Sequence, residues 1–161
     1  MGIDVYLNWT GKTQEEAKAQ VTGFAIDVGD VGYLRESYFA SDYYATQVLF
    51  PEAWELGSVK VGHTWPNGAE FVMRSDGFEP TFPYVVQIGG NAIPANSASP
   101  HVAYPAAVLR DRLPRALHAN AQRYTDERDA MEMAATSIQD FVEMYEQLAA
   151  AGKNPAVCVS Y

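Results

Sequence analysis

Hydrophobic and polar positions alternate at the start of the chain and then change to a helical period. From Ile3 to Trp9, in "IDVYLNW", apolar residues alternate with Asp, Tyr and Asn, which is typical of a half-buried strand. In the following "TQEEAKAQ", Thr13 and Glu16 have the spacing of a capping box. The pattern therefore predicts a strand followed by a short helix over residues 14–21.

The middle of the chain predicts short strands joined by turns. Gly23, Gly29 and Gly32 indicate turns or close backbone approach before "YLRES". The segment "YYATQVLFPEAWEL" fits either a strand or a helix, with Pro51 placed to begin a helical turn.

A hairpin and one irregular stretch are expected next. The Asn67-Gly68 pair predicts the turn of a hairpin between "SVKVG" and "AEFVMRS", and "YVVQIGG" predicts a further strand. Residues 89–105 are rich in Gly, Pro, Ser and Asn and predict irregular structure, as a functional loop or a plain connector.

The last third predicts two helices and a strand. Pro105 can begin the first helix, and Pro114 within it predicts a kink or two short helices. The second helix has apolar residues at a 3.6-residue period and ends at Gly152, and "AVCVSY" closes the chain as a strand. The chain is thus expected to be a single α+β domain over residues 1–161. Its mainly antiparallel sheet would carry two C-terminal helices on one face and a C-terminal strand.

Composition limits the function. The formal net charge of −9 argues against general nucleic-acid binding, which depends on Lys and Arg neutralising phosphates. No apolar run is long enough to predict a membrane span. Cys158 is the single cysteine and cannot form an internal disulfide, so a cytoplasmic location is expected. Its apolar surroundings indicate a buried, inert thiol.

Recognisable catalytic and metal motifs are missing. His63, His101 and His118 have no second ligand at zinc-site spacing, and no G-x-S-x-G elbow occurs. The sequence therefore predicts no catalytic residue, no metal and no cofactor. A small hydrolase or transferase whose site is assembled from distant residues stays an alternative.

An aromatic segment with an arginine is the first candidate site. Tyrosine offers an apolar face and a polar tip, and arginine can hold a phosphate, so this mixture suits a nucleotide-like ligand. The predicted wall is Tyr33, Arg35, Tyr38, Tyr43 and Tyr44, with Arg112 or Arg115 as an anion clamp. The alternatives are that the rings pack the core or form an interface between copies of the chain, and that the arginines pair with acids of the neighbouring helix.

An acidic helix is the second candidate site. The last helix carries acids on its exposed face, which is typical of a solvated surface but also suits docking to a basic protein. The residues chosen for that partner surface are Glu132, Glu143 and Glu146.

The chain also resembles a family. The blocks "GIDVYL", "GYLRESY", "ATQVLFPEAW", "PAAVLRDRLPRAL" and "DFVEMYE" are similar to a family of small uncharacterised proteins of bacteria and their phages. The resemblance carries over no site residue. It implies a phage-linked accessory protein that blocks a host pathway by sequestering a small nucleotide-like ligand. The alternative is an acidic inhibitor that binds a host protein through the 126–146 helix.

Overall fold

The structure is a computed structural model of the 161-residue chain. It describes residues 2–22, 29–37, 43–55, 66–72, 86–88, 91–93 and 101–160. The helices are α1 (Gln14–Thr22), α2 (Ala45–Leu49), α3 (Pro51–Glu55), α4 (Ala106–Arg123) and α5 (Arg128–Ala150), with a 3₁₀ turn at Gly29–Val31. The strands are β1 (Gly2–Asn8), β2 (Tyr33–Ser37), β3 (Glu70–Val72), β4 (Val86–Ile88), β5 (Asn91–Ile93), β6 (His101–Ala103) and β7 (Ala156–Ser160).

Within these ranges, five strands form an antiparallel sheet in the order β2-β1-β7-β6-β3, and β4 pairs with β5 in a separate ribbon. The C-terminal strand β7 lies at the centre, between β1 and β6. The fold is therefore α+β with a mainly antiparallel sheet, as the sequence predicted.

The two long helices pack on one face of this sheet. Alternate β1 residues, among them Ile3 and Val5, are fully buried against apolar residues of α4 and α5 such as Leu109 and Phe141. The hydrophobic side of each helix thus meets the hydrophobic side of the sheet, and burial of this shared surface stabilises the arrangement.

Several local predictions are confirmed. The helix α1 begins with the expected capping box, in which the Glu16 N–H donates to Thr13 Oγ1 at 3.1 Å and the Thr13 N–H donates to Glu16 Oε2 at 3.4 Å. The ambiguous middle segment forms two short helices, α2 and α3, and Pro51 begins the second. Cys158 is buried in β7.

One prediction is wrong, and one of the two alternatives at Pro114 is excluded. The stretch over residues 89–105, expected to be irregular, contains β5 and β6. These strands have only three residues each, and their pairing with other strands outweighs weak local signals. The helix α4 is a single helix from Ala106 to Arg123, which excludes the two short helices that were one alternative at Pro114. Pro114 is exposed, whereas its neighbours Leu113 and Ala116 are buried in the core, so packing holds the two halves in one helix.

The hairpin prediction is tested only in part. Gly68 has a φ of +85°, as its turn requires, and β3 follows. β3 pairs with β6. The proposed first arm at residues 58–62 lies outside the described residues.

Candidate functional site

The face of the sheet opposite the helices carries a polar cluster around Asp4. In the β1–β2 register Asp4 lies opposite Arg35, and Tyr6 lies opposite Tyr33. Asp4 Oδ1 accepts hydrogen bonds from the Tyr33 hydroxyl at 2.6 Å and from Arg35 Nη1 at 3.2 Å. Tyr33 is fully buried. Burial, together with the charge of Asp4, raises the pKa of Tyr6 to about 12, so both tyrosines stay neutral at physiological pH.

A second cluster surrounds Arg112. Its Nη1 donates to Glu52 Oε1 at 2.8 Å and to the Leu49 carbonyl at 3.0 Å, and its Nη2 donates to Glu52 Oε2 at 2.8 Å. Asn67 Nδ2 donates to Glu52 Oε2 at 2.7 Å. Arg112 therefore joins α4 to α3, and Glu52 joins both to the turn before β3.

A third cluster lies where β2, α2 and the end of α4 meet. The guanidinium of Arg123 donates to the Ser37 carbonyl and, at 3.4 Å, to the Tyr43 carbonyl. It lies 5.0 Å from the ring centroid of Tyr44 and 5.9 Å from that of Tyr124. Tyr43 is 46% exposed. A cation between two aromatic rings thus lies beside an accessible tyrosine.

Glu36 supports this third cluster from inside the protein. Its carboxylate accepts hydrogen bonds from the Ala45 N–H at 2.9 Å, the Thr46 N–H at 2.8 Å and the Thr46 hydroxyl, so it caps the first turn of α2. Burial raises the pKa of Glu36, although the hydrogen bonds from Thr46 and Ala45 and the charge of Arg123 oppose that rise.

The residues predicted to form one ligand wall are therefore distributed over three places. Tyr33 and Arg35 lie at Asp4, Tyr43 and Tyr44 lie at Arg123, and Arg112 is engaged by Glu52. Arg115 is exposed on α4, and Tyr38 lies outside the described residues. Both Nη groups of Arg112 thus bind Glu52 inside the protein, and Arg123 is the cation that lies beside Tyr43 and Tyr44.

The acids predicted on α5 also differ from one another. Glu146 is bound by Arg110 of α4, with Arg110 Nε at 3.0 Å, and Glu132 is bound by Arg128 at 2.9 Å. Glu146 and Glu132 therefore each have an arginine partner on the helix surface. Glu143 is exposed and forms no ion pair with any described residue.

Glu143 belongs to a set of acids that we call the acidic stripe, which consists of Asp30, Asp129, Asp140 and Glu143. Three of them are on α5 and Asp30 is on the 3₁₀ turn, which packs against that helix. Within the described part of the chain none of the four forms an ion pair. The stripe is thus a negative surface without direct ion pairs to described residues, although the charge of Arg110 acts on Glu143 from a distance.

Two surface grooves lie along this stripe. The first, the Tyr124 groove, has a volume of about 860 Å³, and its described lining is Tyr124, Asp129, Ala130, Glu132, Met133, Ala134, Thr136 and Ser137. The second, the Asp30 groove, has a volume of about 420 Å³, and its described lining is Asp30, Asp140, Glu143, Met144 and Gln147. The first joins apolar residues to an acidic rim, and the second is mainly acidic.

The sequence missed part of this surface. Asp129 and Asp140 were visible as helix acids, but only the pairing of Arg110 and Arg128 separates them from the paired Glu146 and Glu132. Asp30 lies far from them in the chain and has no signal that links it to α5. Met133 is 72% exposed, although helical periodicity offered no reason to single it out.

Two kinds of feature are absent from the described ranges. There, no group of three or more His, Cys, Asp or Glu side chains is arranged to hold a metal ion. No helix in the described part of the chain has the length and apolar character that crossing a membrane requires. Comparisons of the chain with protein-family models, curated proteins and solved structures return no match.

Proposed function

We propose that this chain is a non-enzymatic binding protein that captures a basic segment of another protein on the exposed face of α5. The observation that carries the proposal is the acidic stripe, whose four carboxylates lack ion pairs with described residues while two grooves run beside them. A partner with Lys or Arg side chains would supply the missing counter-charges. The phage-linked family that the sequence resembles makes a host protein the expected partner, whose pathway is blocked by capture.

The charge of the whole chain supports the same partner class. A net charge of −9 attracts basic proteins over several ångströms and accelerates their encounter. Exposed charges are screened by salt over about 8 Å at physiological ionic strength, so the binding should weaken as salt is added. The grooves then supply the short-range contacts that a purely electrostatic encounter lacks.

The test compares two triple variants with the same change in net charge. The stripe variant is Asp129→Asn, Asp140→Asn and Glu143→Gln, and the control is Glu15→Gln, Glu55→Gln and Asp111→Asn, all exposed acids elsewhere. Binding of a fluorescent Lys- and Arg-rich peptide is measured by anisotropy at low and high salt. The stripe variant should bind about tenfold more weakly, and the control should stay within about twofold of wild type. An equal loss in both variants would mean that only net charge matters and would overturn the proposal.

A second candidate function is capture of a small nucleotide-like ligand, and the Arg123 cluster favours it. Arg123 lies near the rings of Tyr44 and Tyr124, beside Tyr43, which is 46% exposed. A base could stack on the exposed part of the Tyr43 ring while its phosphate approaches the Arg123 guanidinium. The test is a thermal-shift screen with mono- and dinucleotides. A ligand at about 100 times its Kd adds about 2.7 kcal/mol to the folded state, and Tyr43→Ala should reduce that shift. Unchanged melting with every nucleotide would remove this candidate.

A further inference from the structure

The two grooves on α5 lie on the same side of that helix. Met133 lines the Tyr124 groove, and Asp140 and Gln147 line the Asp30 groove, at steps of seven residues that return close to the same angle around a helix. Glu143 lies roughly ten residues beyond Met133, which is about 15 Å along the axis. The Tyr124 groove and the Asp30 groove are thus two binding positions, or stations, that follow one another along α5.

The first station suits an apolar side chain. The ring of Tyr124 and the side chains of Ala130, Met133 and Ala134 line it. Met133 is 72% exposed, and its flexible thioether side chain can adapt to ligands of different shape. Asp129 is in the same lining and forms no ion pair with a described residue, so an apolar residue next to a cation would fit the groove better than one without a charged neighbour.

The second station suits a cation. Three carboxylates, those of Asp30, Asp140 and Glu143, line the Asp30 groove together with Met144 and Gln147. The stems of Lys and Arg can pack on the Met144 side chain while their charged ends reach the carboxylates. Because Asp30 comes from the 3₁₀ turn, this station exists only when that turn is packed on α5.

We infer that the occupant is a basic amphipathic helix that lies along α5, with a large apolar side chain in the Tyr124 groove and a Lys or Arg in the Asp30 groove. This inference rests on the proposed capture of a basic segment and specifies its shape. A helix satisfies its own backbone hydrogen bonds, so it can lie along α5 without pairing with a strand. In the occupant, the two side chains are roughly 11 residues apart, which is about 16 Å and three turns.

The test uses two labelled peptides of identical composition, each about 20 residues long so that it can be helical. In the first, a Leu and a Lys pair lie roughly 11 residues apart on one face of an Ala- and Gln-rich helix. In the second, the same residues are permuted so that the Leu and the Lys pair lie on opposite faces. Binding to the full chain is measured by fluorescence anisotropy, and the first peptide is expected to bind about tenfold more tightly.

Variants of the chain assign each station. Met133→Ser should weaken the first peptide about tenfold but should not change a version of it that lacks the Leu. Asp140→Asn with Glu143→Gln should weaken the first peptide but not a version that lacks the Lys pair. Met133, Asp140 and Glu143 are at least partly exposed, so these variants should fold, and circular dichroism checks this.

The outcomes separate this inference from the function on which it rests. If both peptides bind equally and both respond to loss of the acidic stripe, the chain captures basic segments but does not require the helical spacing, and the inference is overturned. If neither peptide nor any Lys- and Arg-rich peptide binds, the proposed function fails as well. If the Met133 and Asp140/Glu143 variants weaken the matching peptides selectively, both stand.

Discussion

The guanidinium of Arg112 and the carboxylate of Glu52 form a two-pronged pair, with both N–H···O distances at 2.8 Å. Their side chains are only 13% and 8% exposed, so the pair is largely shielded from water. The pair joins α4 to α3. A second arginine of α4, Arg110, forms an exposed ion pair with Glu146 of α5. The same helix therefore carries one buried and one exposed ion pair, which makes it suitable for direct comparison.

Removing Arg112 should destabilise the fold much more than removing Arg110. Arg112→Ala leaves the Glu52 carboxylate buried without its cation, at a cost of about 3 kcal/mol. Arg110→Ala removes an exposed pair, at a cost of at most about 1 kcal/mol. Urea unfolding of both variants measures the difference, and equal losses would show that the Arg112 pair is not effectively buried.

The Arg112–Glu52 pair should also contribute to the loss of folding stability at acidic pH. Burial acts to raise the pKa of Glu52, but hydrogen bonds from Arg112 and Asn67 outweigh it, so this pKa lies below its ordinary value. A carboxylate with a lowered folded-state pKa stabilises the fold above its unfolded pKa of about 4.3, and this contribution is lost as the pH falls through the folded value. The stability gap between wild type and Glu52→Gln should be constant near neutral pH and shrink below about pH 4. Melting temperatures measured across that range test this, and a gap that widens in acid would contradict it.

The 3₁₀ turn should not tolerate a side chain at Gly29. A Cβ built there would lie 1.8 Å from the Ser137 carbonyl oxygen, so the turn and α5 would have to separate. Gly29→Ala should cost about 3 kcal/mol. Gly11→Ala is the control, because Gly11 has a φ of +86° but open space around it, and it should cost about 1 kcal/mol. Chemical denaturation ranks the two, and a milder effect at Gly29 would show that the turn is loosely packed. Because the position of Asp30 depends on that packing, Gly29→Ala should also weaken the binding of a basic peptide in the Asp30 groove.

The hydroxyl of Tyr145 should contribute more to the unfolding free energy than the hydroxyl of Tyr124. The hydroxyl oxygen accepts a hydrogen bond from the Tyr104 N–H at 2.6 Å. The hydroxyl hydrogen can be donated to the Tyr104 carbonyl at 2.8 Å or to the Pro155 carbonyl at 3.1 Å. Tyr145→Phe leaves a buried N–H without its acceptor and should cost about 2 kcal/mol. Tyr124→Phe, at a half-buried ring, should change the unfolding free energy by less than about 0.5 kcal/mol. Similar values for the two variants would refute the role of Tyr145 as a link between α5 and the strands.

Local chemistry explains which parts of the fold could be predicted. The alternation around Val5 and the capping box of Thr13 and Glu16 lie within a few residues of the chain, so β1 and α1 were predictable. The strand β6 was not, because its three residues depend on β3 and β7, which lie far away in sequence. The strand β5 pairs with the neighbouring β4, so its partner is local, but three residues give too short a pattern to indicate a strand. Pro114 does not divide α4 for a related reason, since the tertiary packing of Leu113 and Ala116 outweighs the local penalty of a proline.

The sequence by itself determined the α+β class, the central features of α1, α5 and β7, the acidic charge and the absence of a recognisable catalytic motif. Those properties follow from composition and from periodicity within single elements. Only the tertiary structure decided which of the described charged side chains form ion pairs and which do not. It bound Arg112 to Glu52 and Glu146 to Arg110, and it brought Asp30 beside Asp140 and Glu143. The physical reason is that a charge acts through its neighbours in space, and the order of residues along the chain does not specify those neighbours.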